Sequence, residues 1–152
     1  MPNVQHSSLT GTDLHEPKGV AAATNNSVYV ANGSGSGSWQ RRQHIFLAYL
    51  EDVSAVETIY VPIPYAGNII KVQTILEASI GSADSTVTIR NSSGSTMGTL
   101  TIAHSGSAAG DMVYVEPSSD NTMTDNDYIT VSSDGASTNS AKLRVAIVLE
   151  RT

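Results

Sequence analysis

Residues 141–150 read AKLRVAIVLE, the run with the clearest strand pattern in the chain. Its apolar side chains fall on every second position: Leu143, Val145, Ile147 and Leu149. Charged side chains lie on the opposite set of positions: Lys142, Arg144 and Glu150. Because successive side chains of a β-strand point to opposite faces of a sheet, this alternation predicts a strand with one face in a core and the other in water.

Seven earlier runs have a similar β-branched and aromatic composition, and Gly, Ser, Asn and Asp separate them. They are 41–50, 56–63, 67–79, 84–91, 96–103, 111–116 and 127–132. Such a series is typical of successive antiparallel strands. Pro62 and Pro64 favour a sheet edge or a bend for the second run, because proline cannot donate a ladder hydrogen bond. The sequence therefore predicts an all-β fold, an antiparallel two-sheet sandwich that is jelly-roll-like and carries an extended N-terminal arm.

The N-terminal quarter of the chain has a different composition. Residues 1–38 contain few large apolar side chains, so they cannot close a core by themselves. Their last seven residues read NGSGSGS, which is typical of a flexible linker. We therefore predict an extended arm with a Gly/Ser linker over 1–38 and a β-sandwich domain over 39–152.

The composition narrows the classes of function. The chain has no cysteine, which excludes a disulfide framework, a thiol nucleophile and a Cys-ligated metal site. Its net charge of -6 would repel duplex DNA and anionic lipid, so we expect neither nucleic acid nor a membrane as a partner. The sequence shows no secretory signal and no apolar run long enough for a membrane span, so we expect synthesis in the cytoplasm.

No residue spacing indicates a catalytic or metal site. Two of the four histidines, His6 and His15, lie in the predicted arm, and no GxSxG elbow is present. Residues 120–127, DNTMTDND, lack the central Gly and bidentate Glu of a calcium loop and are interpreted as solvated turn acids. We predict a protein that is not an enzyme, with no catalytic residues, no cofactor and no metal.

The arm contains a candidate docking segment. Residues 14–19, LHEPKG, combine an apolar anchor, opposite charges and a proline that favours extended backbone before it. A second extended piece, Ser27–Ala31, would place two valines on one face and could pair with another sheet edge. We predict that the arm binds another protein through Leu14, His15, Glu16, Pro17, Lys18, Gly19, Val28 and Val30. A disordered tail is the alternative for 14–19.

A candidate oligomer interface lies where the sandwich is predicted to begin. Arg41 and Arg42 follow closely on Trp39, so a cation could stack on the indole or pair with a carboxylate of a neighbouring copy. A capped strand end is the simpler alternative. Exposed edge strands would also gain from symmetric covering, so we predict a homo-oligomer, a trimer.

Two phrases in the N-terminal part carry a resemblance to known proteins. They are HSSLTGTDLHEPKGV at 6–20 and SVYVANGSGSGSW at 27–39. These phrases resemble the opening of virion structural proteins encoded by tailed phages. The resemblance implies attachment to the virion through the arm.

The body is similar to β domains of phage head decoration (cement) proteins or fibre-like proteins. The similar phrases are IPYAGNIIKVQTILEASIGSADSTVTIRN at 63–91, LTIAHSGSAAGD at 100–111 and DNDYITVSSDGAST at 125–138. This resemblance implies a symmetric oligomer, commonly a trimer, on the virion surface. It brings no active-site residues with it.

Three functions remain open at this point. In the first, the chain is a decoration protein on the capsid exterior whose arm binds the major capsid protein. In the second, it is a receptor-binding or adhesin domain of a head or tail fibre, which the few aromatic residues, most of them inside predicted strands, do not favour. In the third, it degrades glycans, which would require a pair of carboxylates facing one cleft.

Overall fold

The computed structural model describes residues 23–34 and 37–152. The predicted docking segment 14–19 lies outside the described residues. The regular elements of the described parts are strands: β1 (Ser27–Ala31), β2 (Gly37–Arg41), β3 (Gln43–Leu50), β4 (Val56–Ile63), β5 (Gly67–Leu76), β6 (Ser85–Asn91), β7 (Thr96–Ile102), β8 (Met112–Val115), β9 (Thr122–Met123), β10 (Asp127–Asp134) and β11 (Leu143–Arg151).

The chain divides into two compact units, Met1–Arg42 and Gln43–Thr152. In the first unit, β1 and β2 form an antiparallel hairpin whose register runs from Ser27 opposite Arg41 to Ala31 opposite Gly37. The predicted linker therefore contains the start of a strand, and the predicted boundary after Ser38 falls within β2.

Glycine is required where the hairpin begins its second strand. A Cβ atom on Gly37 would lie 2.3 Å from the carbonyl oxygen of Val30, which is far closer than real contacts allow. In the turn, Gly33 has a φ of 76°, a value that L side chains rarely adopt, and Asn32 accepts a hydrogen bond from the backbone N–H of Ser34 at 2.9 Å. The Gly-rich stretch is thus suited to a tight hairpin as well as to a linker.

The second unit consists of two antiparallel sheets. One has the strand order β4-β10-β6-β7, and the other has the order β3-β11-β5-β8, with the two-residue β9 also pairing with β5. Among the eight longer strands of this unit, β3 pairs with β11, β4 with β10, β5 with β8 and β6 with β7. The first strand of the unit therefore pairs with its last, and each following strand pairs one step further inward. One long antiparallel hairpin wrapped into two sheets gives this pattern, which is the jelly-roll topology. The predicted antiparallel two-sheet sandwich is confirmed.

The eight predicted strands correspond to β3–β8, β10 and β11, with their ends shifted by a few residues. The alternation in β11 has the predicted consequence, since its four apolar side chains are buried while Arg144 is exposed. The proline prediction also holds, because Pro62 lies on β4, an edge strand.

The core lies between the sheets. It contains side chains from both, including Val61, Ile89 and Val131 of one sheet and Val72 and Ile147 of the other. Burying an aliphatic side chain of this size contributes about 1.5–3 kcal/mol. The repeated burial along successive strands therefore stabilises the sandwich.

Two buried hydroxyls fix a loop to the sheet that contains β6 and β10. Ser133 Oγ and Ser85 Oγ both donate hydrogen bonds to the carbonyl oxygen of Val53, at 2.8 and 3.0 Å. Val53 lies between β3 and β4 and is itself fully buried. The hydroxyls satisfy a backbone carbonyl that would otherwise be buried without a partner.

Candidate contact surfaces

The hairpin separates the two sets of predicted contact residues. Val28 and Val30 share one face of β1 with Gln40 and Ser38 as their cross-strand partners. Val30 is 41% exposed, which leaves it available for a contact. Whether this face binds another protein stays a prediction.

Trp39 lies on the opposite face of the hairpin, directly across from Tyr29. The two rings meet edge to face, with centroids 5.4 Å apart. Arg41 is two residues further along the same face, and the backbone N–H of Arg42 donates to the carbonyl oxygen of Asn26 at 3.1 Å, at the open end of the hairpin. The indole therefore has an aromatic partner within its own hairpin, and an oligomer contact through these residues stays a prediction.

The outer surface of the β4-β10-β6-β7 sheet carries mostly hydroxyl groups, and we call it the hydroxyl face. One row crosses all four strands, in which Thr58, Ser132, Thr88 and Thr99 are successive cross-strand neighbours. The Thr58 hydroxyl donates to the Ser132 hydroxyl at 2.9 Å. Short hydroxyl side chains of this kind suit a surface in contact with water.

The outer surface of the other sheet is apolar, and we call it the apolar face. Its large exposed side chains are Ile45, Leu47 and Tyr49 on β3, Ile75 on β5, and Met112 and Tyr114 on β8. The register brings them into rows, one of which runs from Leu47 through Ala146 and Gln73 to Tyr114. Because these neighbours lie on adjacent strands, the surface is continuous rather than a set of scattered side chains.

The small side chain of Ala146 leaves a groove along the middle of the apolar face. The groove has a volume of about 120 Å³, and Leu47, Tyr49, Gln73 and Ile75 form its sides. It lies between a ridge on β3 and a second ridge on β5.

The cations on the apolar face have partners within the same chain. The Lys71 ammonium lies 4.3 Å from the centre of the Tyr114 ring. Arg144 pairs with the carboxylate of Glu77, which raises the pKa of the guanidinium, and it also lies over the Tyr49 ring at 5.8 Å. The Arg144–Glu77 pair is neutral, whereas the Tyr114 ring does not cancel the charge of Lys71, so these groups together leave one positive charge on the face of a chain whose net charge is -6.

Sequence reasoning did not identify the apolar face, although a signal for it was present. In QHIFLAYL, the run that forms β3, both alternating sets are apolar: Ile45, Leu47 and Tyr49 on one side and Phe46, Ala48 and Leu50 on the other. A strand that is apolar on both faces indicates covering on both faces.

The exposed aromatic residues also differ from expectation. Tyr60 and Tyr128 lie within strands as predicted, but both point outward, and their rings lie 5.6 Å apart on the hydroxyl face. Both tyrosines are therefore exposed although they lie within strands.

Several ionisable groups in the described chain form pairs. His104 Nδ1 and the Asp84 carboxylate are 2.7 Å apart, and the backbone N–H of His104 donates to the same oxygen at 2.9 Å. These contacts lower the pKa of Asp84, the backbone hydrogen bond most and the imidazole next. In the parts of the chain that the structure describes, no three His, Asp or Glu side chains converge as metal ligands would.

At one end of the sandwich, the Tyr65 ring contacts two nitrogen-containing side chains. The centre of the His44 ring is 4.6 Å from the centre of the Tyr65 ring, and the Arg151 guanidinium is 4.8 Å from it.

Within the described ranges, no helix is long and apolar enough to cross a membrane.

No protein-family profile and no curated protein sequence matches the chain. A chain in the capsid asymmetric unit of cyanophage Pam1 has a TM-score of 0.51 at 11% identity, over 100% of both chains. A chain in the acidic stable capsid of Helicobacter pylori bacteriophage KHP30 has a TM-score of 0.51 at 13% identity, over 71% of this chain and 86% of that one. A family 6 carbohydrate-binding module has a TM-score of 0.42 at 13% identity, over 84% of this chain and 83% of that one. The sandwich fold of this chain therefore also occurs in chains of two phage capsids.

Proposed function

We propose that this chain is a capsid decoration (cement) protein of a tailed phage, which binds the outside of the head and stabilises the shell. The observation that carries the proposal is the jelly-roll fold, which a chain of the Pam1 capsid matches over its whole length. Viral capsids commonly use such sandwiches. The resemblance of both the arm and the body to phage virion proteins supports the same assignment.

In this proposal, the protein is made in the host cytoplasm and binds the major capsid protein through its N-terminal part. The contacts are those of 14–19 together with the Val28 and Val30 face of the hairpin. An extended segment can cover a large surface on a partner, although ordering it costs entropy. A homo-oligomer, a trimer in our proposal, would present several such segments at once and so bind by avidity. The proposed role is contact, without catalysis.

The proposal is tested by adding the purified full chain to phage heads that lack it. We expect the chain to cosediment with intact heads at a saturating ratio, and to raise the temperature at which the heads release their DNA. A chain that fails to cosediment, or that binds and leaves head stability unchanged, would contradict the decoration role.

A second candidate function rests on the two outward tyrosines. Tyr60 is 68% exposed and lies next to Tyr128, and Thr58 and Thr130 provide hydroxyls nearby on the same face. An aromatic ring beside hydroxyl groups could hold a sugar, as an adhesin requires. Titration with host cell-surface polysaccharide distinguishes the two, because only an adhesin would lose its binding in Tyr60→Ala.

A further inference from the structure

We infer that the apolar face is the interface between copies of this chain. This inference rests on the proposed function and changes its oligomer, because a self-complementary face joins two copies into a dimer in place of the proposed trimer. It also replaces the Trp39 end of the chain as the main candidate for the contact. Its test uses the protein alone, so it can fail while binding to phage heads still holds.

The exposed apolar area is too large for an isolated surface. The six large side chains of the apolar face are between 37% and 72% exposed. With a full area of about 200 Å² for each, they present about 700 Å² of surface in all. Isolated proteins seldom leave an apolar patch of more than about 300–600 Å² open to water, whereas a stable protein interface buries about 800 Å² on each partner. One further copy of this surface is enough to form an interface of standard size.

The charge distribution favours an identical partner. Two molecules that each carry a net charge of -6 repel one another wherever acidic surfaces meet. On the apolar face, Arg144 is neutralised by Glu77, and the neighbouring Lys142 pairs with Glu51 at 2.5 Å. The face thus presents a neutral ion pair and one cation, Lys71, in place of the acidic surface that the net charge predicts elsewhere. Two molecules of like net charge can therefore meet there with little repulsion.

The shape of the face is suited to packing against its own copy. The ridge on β3 is formed by the side chains of Leu47 and Tyr49, and the groove over Ala146 lies directly beside it. A ridge and a groove on the same surface can interlock with the groove and ridge of a second copy, as self-complementary interfaces require. The hydroxyl face instead carries a row of short Thr and Ser side chains across its four strands, with its exposed tyrosines confined to β4 and β10.

The absence of cysteine allows a direct test, because a single introduced thiol can be labelled selectively. Ala146→Cys places a thiol in the groove with little change in size, and Thr88→Cys places one on the hydroxyl face; both positions are half-buried. We expect iodoacetamide to label Cys-substituted position 146 at least ~10-fold more slowly at ~100 µM than at ~0.1 µM protein, because association covers the groove. Labelling at position 88 should not depend on protein concentration. Equal concentration dependence at both positions, or none at 146, would overturn the inference.

A second experiment measures the mass of the full chain by light scattering. The monomer mass is 15.9 kDa, and we expect the wild type at ~100 µM to exceed it as a stable oligomer. Leu47→Asp should raise the dissociation constant at least ~100-fold, since it would bury an unpaired charge. The matched variant Thr88→Asp should associate like the wild type. A monomeric wild type would refute the inference, as would a Leu47→Asp variant that folds and keeps the oligomer mass. If the isolated chain is monomeric and Leu47→Asp loses binding to phage heads, the face contacts the capsid and the inference is wrong.

Discussion

The two valines on one face of the hairpin permit a sharp test of capsid attachment. Replacing both with threonine, Val28→Thr with Val30→Thr, keeps side-chain shape and β-branching while changing one methyl group of each to a hydroxyl. The hairpin should survive, because the Tyr29–Trp39 ring contact lies on its other face. Only the chemistry of the proposed contact surface changes.

The size of the effect follows from the exposure of these side chains. Val30 is 41% exposed, so an interface that covers it would enclose roughly 60 Å² of its surface, worth about 1.5 kcal/mol. A hydroxyl in its place is buried without a partner at a cost of about 1–3 kcal/mol. For the two positions together we expect a loss of about 2 kcal/mol, which is about a 30-fold higher Kd.

The measurement is a binding titration by cosedimentation with phage heads, and the chain contains its own probe of hairpin integrity. Trp39 is the sole tryptophan, so its fluorescence reports on the hairpin in both variant and wild type. Thr88→Val makes the reverse exchange on the sandwich and should leave the Kd unchanged. If the double variant keeps Trp39 emission and binds within ~2-fold of the wild type, the valine face makes no capsid contact and the reasoning is refuted.

Three further outcomes follow from the structure. Deleting 1–42 should lower the melting temperature by less than ~3 °C in circular dichroism, because every core side chain identified in the described chain lies after Arg42, yet it should abolish cosedimentation with heads. Ser133→Ala should lower the free energy of unfolding in urea by about 1–2 kcal/mol, since the carbonyl of Val53 loses its shorter hydrogen bond; no change would mean that this bond contributes nothing. Asp84→Asn should remove a stabilising contribution of the Asp84 carboxylate. That contribution is present above the ordinary aspartate pKa of 3.8 and is lost as the pH falls through the lowered pKa of the folded state. The difference in melting temperature between variant and wild type should therefore narrow below pH 3.8.

The strands could be predicted because burial alternates locally. In β11, the four buried residues Leu143, Val145, Ile147 and Leu149 face the core and the residues between them face outward, so ten consecutive letters contain the signal for a strand. The two missed strands lack that signal. Gly37–Arg41, GSWQR, has a single large apolar side chain, and Thr122–Met123 is a strand only because it pairs with Gly67 and Asn68 more than fifty residues away.

Sheet order is a different kind of information. The alternation in β11 shows which side chains are buried, but not that its neighbours are β3 and β5. Those pairings join residues far apart in the sequence, and every register that buries the same faces would satisfy the pattern equally well. The number of strands favours a jelly roll, but only the structure establishes that topology.

The contact surfaces were harder to predict because they depend on what the sheets leave uncovered. Tyr60 and Leu47 each occur in a run that reads as an ordinary strand, yet one points out beside hydroxyls and the other points out among apolar neighbours. Only the strand order decides which outward side chains become neighbours, and so which outward face is apolar. The signal in β3, apolar on both sides, indicated that some covering exists but not what covers it.

The two outer faces and the hairpin together suggest how weak contacts could add up to firm attachment. Two valines on a hairpin offer only a few kcal/mol, which corresponds to weak binding by a single copy. If the apolar face joins copies, the hairpins of one oligomer bind the same head, and each further contact becomes intramolecular with a high effective concentration. The hydroxyl face then remains in water, because its row of short Thr and Ser side chains crosses all four strands and its exposed tyrosines, Tyr60 and Tyr128, lie together on the two strands at the β4 edge. On this reasoning the chemical difference between the two sheets limits assembly to a closed oligomer, because one face of each sandwich promotes contact between copies and the other does not.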